Sequence, residues 1–148
     1  MTPPGRAFEA RGLVEGSARG ESLVMAEPLS FWGGIDASTG RVIDRHHPRT
    51  GESVSGRVLV MPAGRGSSSS SSVLAEAIRV GTGPAGIVLS EVDEIVALGA
   101  IVARELYDRV CPIVVLDAGT FGDIPDRTEI AIEAPVEGPA RVYVTGAS

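Results

Sequence analysis

One segment, residues 57–80, constrains the fold of this 148-residue chain more than any other: R-V-L-V-M-P-A-G-R-G-S-S-S-S-S-S-V-L-A-E-A-I-R-V. The apolar run at residues 58–61 is typical of a buried β-strand, and Pro62 ends it. Apolar residues then recur at helical spacing over residues 73–80. The segment therefore predicts a strand that runs into a helix through Gly-Arg-Gly at residues 64–66 and six serines.

This Gly/Ser-rich turn has the composition of an anion-binding site. Glycines allow a tight turn with an exposed main chain, serines are good helix N-caps, and the first N–H groups of a helix have no partner within it. The alternative is that the six serines form a flexible linker. We favour the ordered turn because apolar segments flank it on both sides. It is not a Walker loop, which needs a lysine, nor a nucleophile elbow, since no serine lies in G-x-S-x-G.

Composition excludes several classes of function. The net charge is −6, and the 13 basic residues are all arginines spread singly along the sequence, so nucleic acid is not expected as a partner. The chain contains no run of 18 apolar residues, and its first residues lack the apolar core of a signal peptide, so we expect a cytoplasmic protein with no membrane contact. The single Cys111, in an apolar run, is expected to be a buried, inert thiol. It cannot build a metal site alone, so any metal must come from elsewhere.

The first third of the chain reads as short strands and turns. We expect a flexible N-terminus over residues 1–10 and a single domain over residues 11–145. Residues 12–16 and 22–26 read as two strands with a turn at residues 18–20, and residues 41–44 as a third strand. The aromatic pair at residues 31–32 closes one end of the sheet or meets a substrate or partner, and both roles are compatible.

The rest of the chain indicates an α/β arrangement. A buried strand at residues 85–89, a helix with a 3-4 apolar stripe from Val92 to Leu106, and a strand at residues 111–116 predict a βαβ crossover. Ser90 is the expected N-cap of this helix, with Asp93 in the place of the capping-box glutamate. Residues 117–126 read as a loop, and two alternating segments after Glu129 predict a hairpin. The expected fold is β-rich α/β, with two layers of strands and two main helices.

Three groups of residues resemble the small subunit of aconitase X: L-S-F-W-G-G-I-D at residues 29–36, G-R-V-I-D with H-P and Gly51 over residues 40–51, and P-A-G-R-G-S at residues 62–67 followed by Val73-Leu74. The likeness extends over residues 11–145. It implies the swivelling β/β/α domain of the aconitase superfamily. It also implies a large-subunit partner that holds an iron–sulfur cluster through its own cysteines, with no cofactor or metal in this chain.

The resemblance further implies a dehydratase that acts on a small carboxylate substrate. In the superfamily the serine after the loop glycine acts as the base, which assigns Ser67 as the catalytic residue. An aconitase carries an arginine where this chain has Ser69, and Arg65 is the candidate replacement for binding a carboxylate. The other candidate substrate-binding residues are Gly66, Ser68, Ser69 and His47.

Two substrates are compatible with the resemblance. The family includes dehydratases of cis-3-hydroxy-L-proline and of phosphorylated mevalonate. We favour hydroxyproline because no cluster of arginines that could bind a phosphate lies near the loop in sequence, and because a lysine-free, arginine-only composition is typical of a GC-rich bacterial genome. His47 has a structural alternative, a role in a turn beside Pro48. The chain as a whole has one too, as a non-catalytic subunit whose loop binds an anion or holds the partner.

Overall fold

The computed structural model describes residues 6–64 and 69–145 of the chain. The described residues form nine strands and four helices, and the turn named α1 is interrupted by non-helical backbone at Trp32 and Gly33. Their bounds are β1 Ala7–Val14, β2 Gly16–Val24, α1 Phe31–Gly34, β3 Ile35–Asp36, β4 Arg41–Val42, β5 Val58–Val60, α2 Ser69–Val80, β6 Gly86–Leu89, α3 Glu94–Tyr107, β7 Ile113–Val115, α4 Ala118–Phe121, β8 Glu129–Ala134 and β9 Ala140–Val144.

Seven of these strands close into a barrel, in the order β1-β7-β6-β5-β2-β8-β9, and β3 and β4 form a separate two-stranded sheet. The strands β2, β5, β6 and β7 run parallel, whereas β1, β8 and β9 pair antiparallel. The long strands β1 and β2 change partner along their length. β1 pairs first with β9 and then with β7, and β2 pairs first with β8 and then with β5, so each strand joins two layers of the barrel. The predicted β-rich α/β fold with two layers of strands and two main helices, α2 and α3, is confirmed.

The β1–β2 region differs from the sequence prediction. Residues 7–10, predicted to be flexible, pair with β9, and the side chain of Ala10 is buried. The turn predicted at residues 18–20 is wrong, because these residues pair with β8 in the middle of β2. Gly20 is there for close packing, since a Cβ at this position would lie 2.6 Å from the carbonyl oxygen of Gly56.

The core lies on both faces of the parallel strands, which explains their continuous apolar runs. In β5, Val58 and Val60 face the barrel interior with residues of β8 and β9, whereas Leu59 packs with residues of α2 and α3. Packing on both faces holds β5 firmly in place. The chain that leaves its carboxyl end therefore starts from a rigid point.

The second half of the chain follows the predicted βαβ pattern with two corrections. β6, α3 and β7 form the predicted parallel crossover, and β8 and β9 form the predicted antiparallel pair. The N-cap of α3 is Asp93 and not Ser90, because the Asp93 carboxylate accepts hydrogen bonds from the N–H groups of Ile95 and Val96. The short helix α4 lies within residues 117–126, which were predicted as a loop.

Candidate functional site

The candidate site lies where the chain leaves the carboxyl ends of β2 and β5. Neighbouring parallel strands end at the same edge of a sheet, so the segments that follow them meet there. Leu29, after β2, and Gly64, after β5, form an isolated parallel β-bridge. This bridge fixes the start of the predicted anion-binding turn against the segment that carries the aromatic pair.

Gly64 is also held from the side of α3. Its N–H donates a 2.8 Å hydrogen bond to Oδ2 of Asp93, whose Oδ1 accepts from the N–H groups of Ile95 at 3.0 Å and Val96 at 3.1 Å. A Cβ on Gly64 would lie 2.7 Å from Cγ2 of Val96 and 3.0 Å from Oδ2 of Asp93. A glycine is therefore required here by close approach.

The far end of the turn is tied to the aromatic segment through Ser70, in the first turn of α2. Ser70 is buried. Its hydroxyl lies 3.3 Å from the Ser30 hydroxyl and accepts a 3.4 Å hydrogen bond from the main-chain N–H of Trp32. The Ser30 hydroxyl also donates to the carbonyl oxygen of Trp32 at 2.8 Å. These contacts connect the start of α2 with the loop after β2.

The two aromatic residues have different environments. Phe31 is 1% exposed and belongs to the core between the parallel strands and the helices, whereas Trp32 is 64% exposed. Phe31 is thus a core side chain, and its predicted role in closing one end of the sheet stays a prediction. The predicted contact of Trp32 with a substrate or partner stays a prediction.

Most of the residues predicted to bind substrate lie in the sequence between Gly64 and Ser70, the two tied ends of the turn. Arg65, Gly66, Ser67 and Ser68 are outside the described residues. Ser69 is the first residue of α2 and is exposed, and three further residues of the serine run continue the helix. For residues 69–72 the linker alternative is therefore wrong. The helix begins directly after the predicted turn, as an anion site at a helix N-terminus requires.

His47, the other predicted substrate contact, is 5% exposed and holds a turn together. Its Nδ1 accepts a 3.0 Å hydrogen bond from the N–H of Arg49, so Nε2 carries the proton and faces the carbonyl oxygen of Glu27 at 3.3 Å. This geometry supports the structural alternative. Contact between His47 and a substrate stays a prediction.

A network of ion pairs at the end of β2 was not predicted from sequence. Arg49 pairs with Asp126 and Glu52, and Asp126 accepts a 2.9 Å hydrogen bond from the N–H of Val24. Glu52 also pairs with Arg127 at 2.8 Å. Burial raises the pKa of Glu52, but hydrogen bonds from its arginine partners outweigh this and hold the pKa below its ordinary value. The network thus holds the end of β2, from which the chain continues to Leu29.

The described residues do not fit an iron–sulfur cluster. Among residues 6–64 and 69–145, no three His, Cys, Asp or Glu side chains come together as a possible metal site. Burial raises the pKa of the Cys111 thiol to about 12, so this residue is a poor source of thiolate. In the same part of the chain, no helix is long and apolar enough to cross a bilayer.

A cavity of about 520 Å³ lies at the opposite end of the barrel, near the start of β2. Its acidic side chains already have partners: Glu15 pairs with Arg104 at 3.0 Å, and Glu133 accepts a 2.6 Å hydrogen bond from Ser17. It does not include the segments that flank the predicted turn. We therefore place the candidate site at the carboxyl ends of β2 and β5.

Comparison with known proteins gives the family of the chain. The family model described as the aconitase X swivel domain matches residues 7–139. The chain belongs to this family. The swivel domain resembles a chain in the crystal structure of Thermococcus kodakaraensis aconitase X in its holo-form, with a TM-score of 0.79, 32% identity, and coverage of 93% of this chain and 98% of that one. The family and the swivelling fold expected from sequence are thus confirmed.

Two curated relatives differ in the activity that their names state. The swivel domain is 57% identical over 106 residues to the cis-3-hydroxy-L-proline dehydratase of Pseudomonas aeruginosa, which covers 72% of this chain but only 18% of that protein. It is 45% identical over 134 residues to the phosphomevalonate dehydratase small subunit of Methanothermobacter thermautotrophicus, covering 90% of this chain and 97% of that one. The chain thus spans about a fifth of the first relative and nearly all of the second.

Proposed function

We propose that this chain is the small subunit of an aconitase X-type dehydratase, a hydro-lyase, and that cis-3-hydroxy-L-proline is its substrate. The observation that carries the proposal is the 57% identity to a dehydratase named for that substrate, over a stretch of 106 residues. Family membership and the two anchored ends of the turn support it. The enzyme works in a cleft that this chain shares with a large subunit.

In this proposal Ser67 is the base that removes the proton alpha to the substrate carboxylate. To act as a base, the Ser67 hydroxyl must first lose its own proton and become an alkoxide, and an alcohol is a very weak acid. A helix N-terminus stabilises a nearby anion such as this alkoxide by up to about 2 kcal/mol. That energy corresponds to a pKa change of roughly one to two units. The N-terminus of α2 is therefore insufficient alone. The N–H groups of Gly66 and Ser68, the charge of Arg65 and positive charge from the large subunit supply the remainder.

The substrate carboxylate is bound by the same turn. Arg65 offers two parallel N–H donors, and the hydroxyl of Ser69 lies at the exposed start of α2. We assign the iron–sulfur cluster to the large subunit, because the described residues of this chain offer no ligand set for it. The chain alone is then half of a site and inactive. We place the complex in the cytoplasm, where a reducing environment suits an unpaired cysteine.

A phosphomevalonate dehydratase small subunit is the alternative, favoured by the 45% identity over nearly the whole of such a subunit. A phosphate would require additional cationic groups. Near the end of β2, Arg49 and Arg127 are already paired with acidic side chains. Because these two arginines already pair with carboxylates of the chain, they do not supply the additional charge that a phosphate requires, which favours the hydroxyproline substrate. In a further alternative, the subunit is non-catalytic and its turn only binds an anion or the partner.

The test is to co-express the chain with its large subunit and to assay the complex on both compounds. We expect turnover of cis-3-hydroxy-L-proline, and Ser67→Ala should lower kcat by about 10²–10⁴-fold without loss of assembly. Ser72→Ala, the same change at an exposed position of α2, is the matched control and should leave kcat unchanged.

Turnover of phosphomevalonate alone would favour the alternative substrate. Undiminished turnover by Ser67→Ala would overturn the assignment of the base. Calorimetric titration of the isolated chain with carboxylates and phosphates tests the non-catalytic alternative. That alternative requires binding of the anion together with a dehydratase activity that does not depend on Ser67.

A further inference from the structure

Asp93 makes more contacts than a helix cap requires. One carboxylate oxygen, Oδ1, accepts from the N–H groups of Ile95 and Val96 and so caps α3. The second oxygen, Oδ2, accepts the N–H of Gly64 at 2.8 Å, from a residue 29 positions earlier in the chain. One side chain therefore joins the start of α3 to the start of the turn that carries Ser67.

Gly64 is the last described residue before that turn, and it is held on two sides. Leu29 bridges it on one side, and Asp93 on the other. The approach is so close that even a methyl group on Gly64 would contact Oδ2 at 3.0 Å. The position of Gly64 therefore depends directly on the Asp93 carboxylate, and Ser67 follows three residues later.

We propose that Asp93 is a positioning residue of the dehydratase, which fixes, through the N–H of Gly64, the point from which the segment that carries Ser67 starts. The inference rests on the proposed function. A base must reach its proton at hydrogen-bond distance, and a displacement of about 1 Å can reduce the rate on the order of 10²-fold. A carboxylate that accepts a main-chain N–H makes a stronger and shorter hydrogen bond than a neutral group, so it suits this role.

The competing explanation is that Asp93 only caps α3. The two explanations separate in Asp93→Asn, because asparagine caps helices about as well as aspartate. When its single oxygen accepts from Ile95 and Val96, its NH₂ group faces the N–H of Gly64, and two donors cannot bond. Asp93→Ser gives a second such variant, since serine is a good cap but is too short to span both groups. Both variants retain the helix and lose the contact with Gly64.

The matched control is Asp117→Asn. Asp117 also caps a helix, α4, through the N–H of Thr120 at 2.9 Å, and it also follows the carboxyl end of a parallel strand. This control removes the same charge from the same end of the barrel. It leaves Gly64 untouched.

The experiment measures kcat and KM of the complex, together with hydrogen exchange of single amides by NMR on the full chain. For Asp93→Asn and Asp93→Ser we expect kcat to fall about 10–100-fold, by a larger factor than KM rises. The Gly64 amide should exchange faster, while the amides of Ile95 and Val96 stay protected. Asp117→Asn should keep the kcat of the unmodified complex and the protection of Gly64.

The inference is overturned by an unchanged kcat in Asp93→Asn, by an equal loss in Asp117→Asn, or by loss of α3 protection in both Asp93 variants. A complex of the unmodified chain that is inactive on both compounds would instead overturn the proposed function. In that case, exchange at Gly64 still decides whether Asp93 holds Gly64.

Discussion

Cys111 shows how burial alone determines the chemistry of a residue. It is almost fully buried just before β7, and the loss of solvent raises the pKa of its thiol from 9.0 to about 12. The neutral thiol behaves as a small apolar side chain. The sequence prediction of a buried cysteine is confirmed, because Cys111 lies next to the apolar residues 113–116, which form the buried strand β7 and its end.

We predict that Cys111 does not react with a thiol reagent at pH 8 until the protein is unfolded by denaturant. Its effect on stability has a defined sign. Between pH 9 and about 12 the unfolded chain loses the thiol proton and the folded chain keeps it, so the free energy of unfolding falls as the pH rises. Urea titrations of the protein and of Cys111→Ala at pH 8 and pH 10.5 measure this. A decline of equal size in both would show that the thiol is not its source.

Other residue roles could not be read from sequence. Asp93 was expected only as part of a capping box, because its second contact, Gly64, lies 29 residues away and leaves no periodic pattern. The pairing of Arg49 with Asp126 joins residues 77 positions apart. Local patterns indicate which residue can cap a helix, whereas tertiary folding decides what else its side chain contacts.

At the scale of elements, the position of the candidate site depends on how closely α2 and α3 approach each other. Gly99 lies where the helices meet, and a Cβ there would be 2.8 Å from the carbonyl oxygen of Ser71 and 3.1 Å from Cβ of Leu74. The missing side chain lets the backbone of α2 pack directly on α3. This packing sets where α2 begins relative to Asp93.

We predict that Gly99→Ala destabilises the fold by up to about 2 kcal/mol, since overpacking costs about 1–3 kcal/mol and alanine regains about 1 kcal/mol of helix propensity. Gly122→Ala is the control, because Gly122 has a right-handed helical backbone and the nearest atoms to a Cβ would be 3.8 Å away. Thermal unfolding followed by circular dichroism should show a lower midpoint for Gly99→Ala only. Equal midpoints for the two variants would mean that α2 and α3 adapt without strain.

The sequence predicts some helices and strands better than others. The run from β5 to β7 was recognised because strands buried on both faces are continuously apolar and the helices between them have apolar stripes. The strands β1 and β2 were partly missed, because each pairs with one strand along its first part and with another along its second, and presents polar residues to solvent. Gly20 read as a turn signal, whereas it is a glycine at a close contact within a strand.

At the scale of the whole molecule, the exposed Trp32 marks the face that we expect to meet the large subunit. It is the single tryptophan of the chain and is 64% exposed. The hydrogen bond from its main-chain N–H to the Ser70 hydroxyl places Trp32 beside the start of α2. A large exposed aromatic residue next to the proposed shared cleft is typical of an interface anchor.

We predict that assembly with the large subunit lowers the acrylamide quenching of Trp32 and shifts its emission to the blue, because the indole becomes buried. Subtracting the signal of a complex made with Trp32→Phe removes the contribution of tryptophans in the partner. Equal quenching of Trp32 in the isolated chain and in the complex would place the interface elsewhere.

The closure of the barrel by β1 and β9 brings two distant parts of the chain together. The N–H of Val144 donates a 2.8 Å hydrogen bond to the carbonyl oxygen of Arg6, and the pairing of β1 with β7 places this contact at the end of the barrel where the parallel strands finish. A polypeptide joined before Arg6 and one joined after Val144 would therefore be tethered to the same spot, on the end of the barrel that bears Gly64. Gene fusion in either order would leave the tethering geometry almost unchanged.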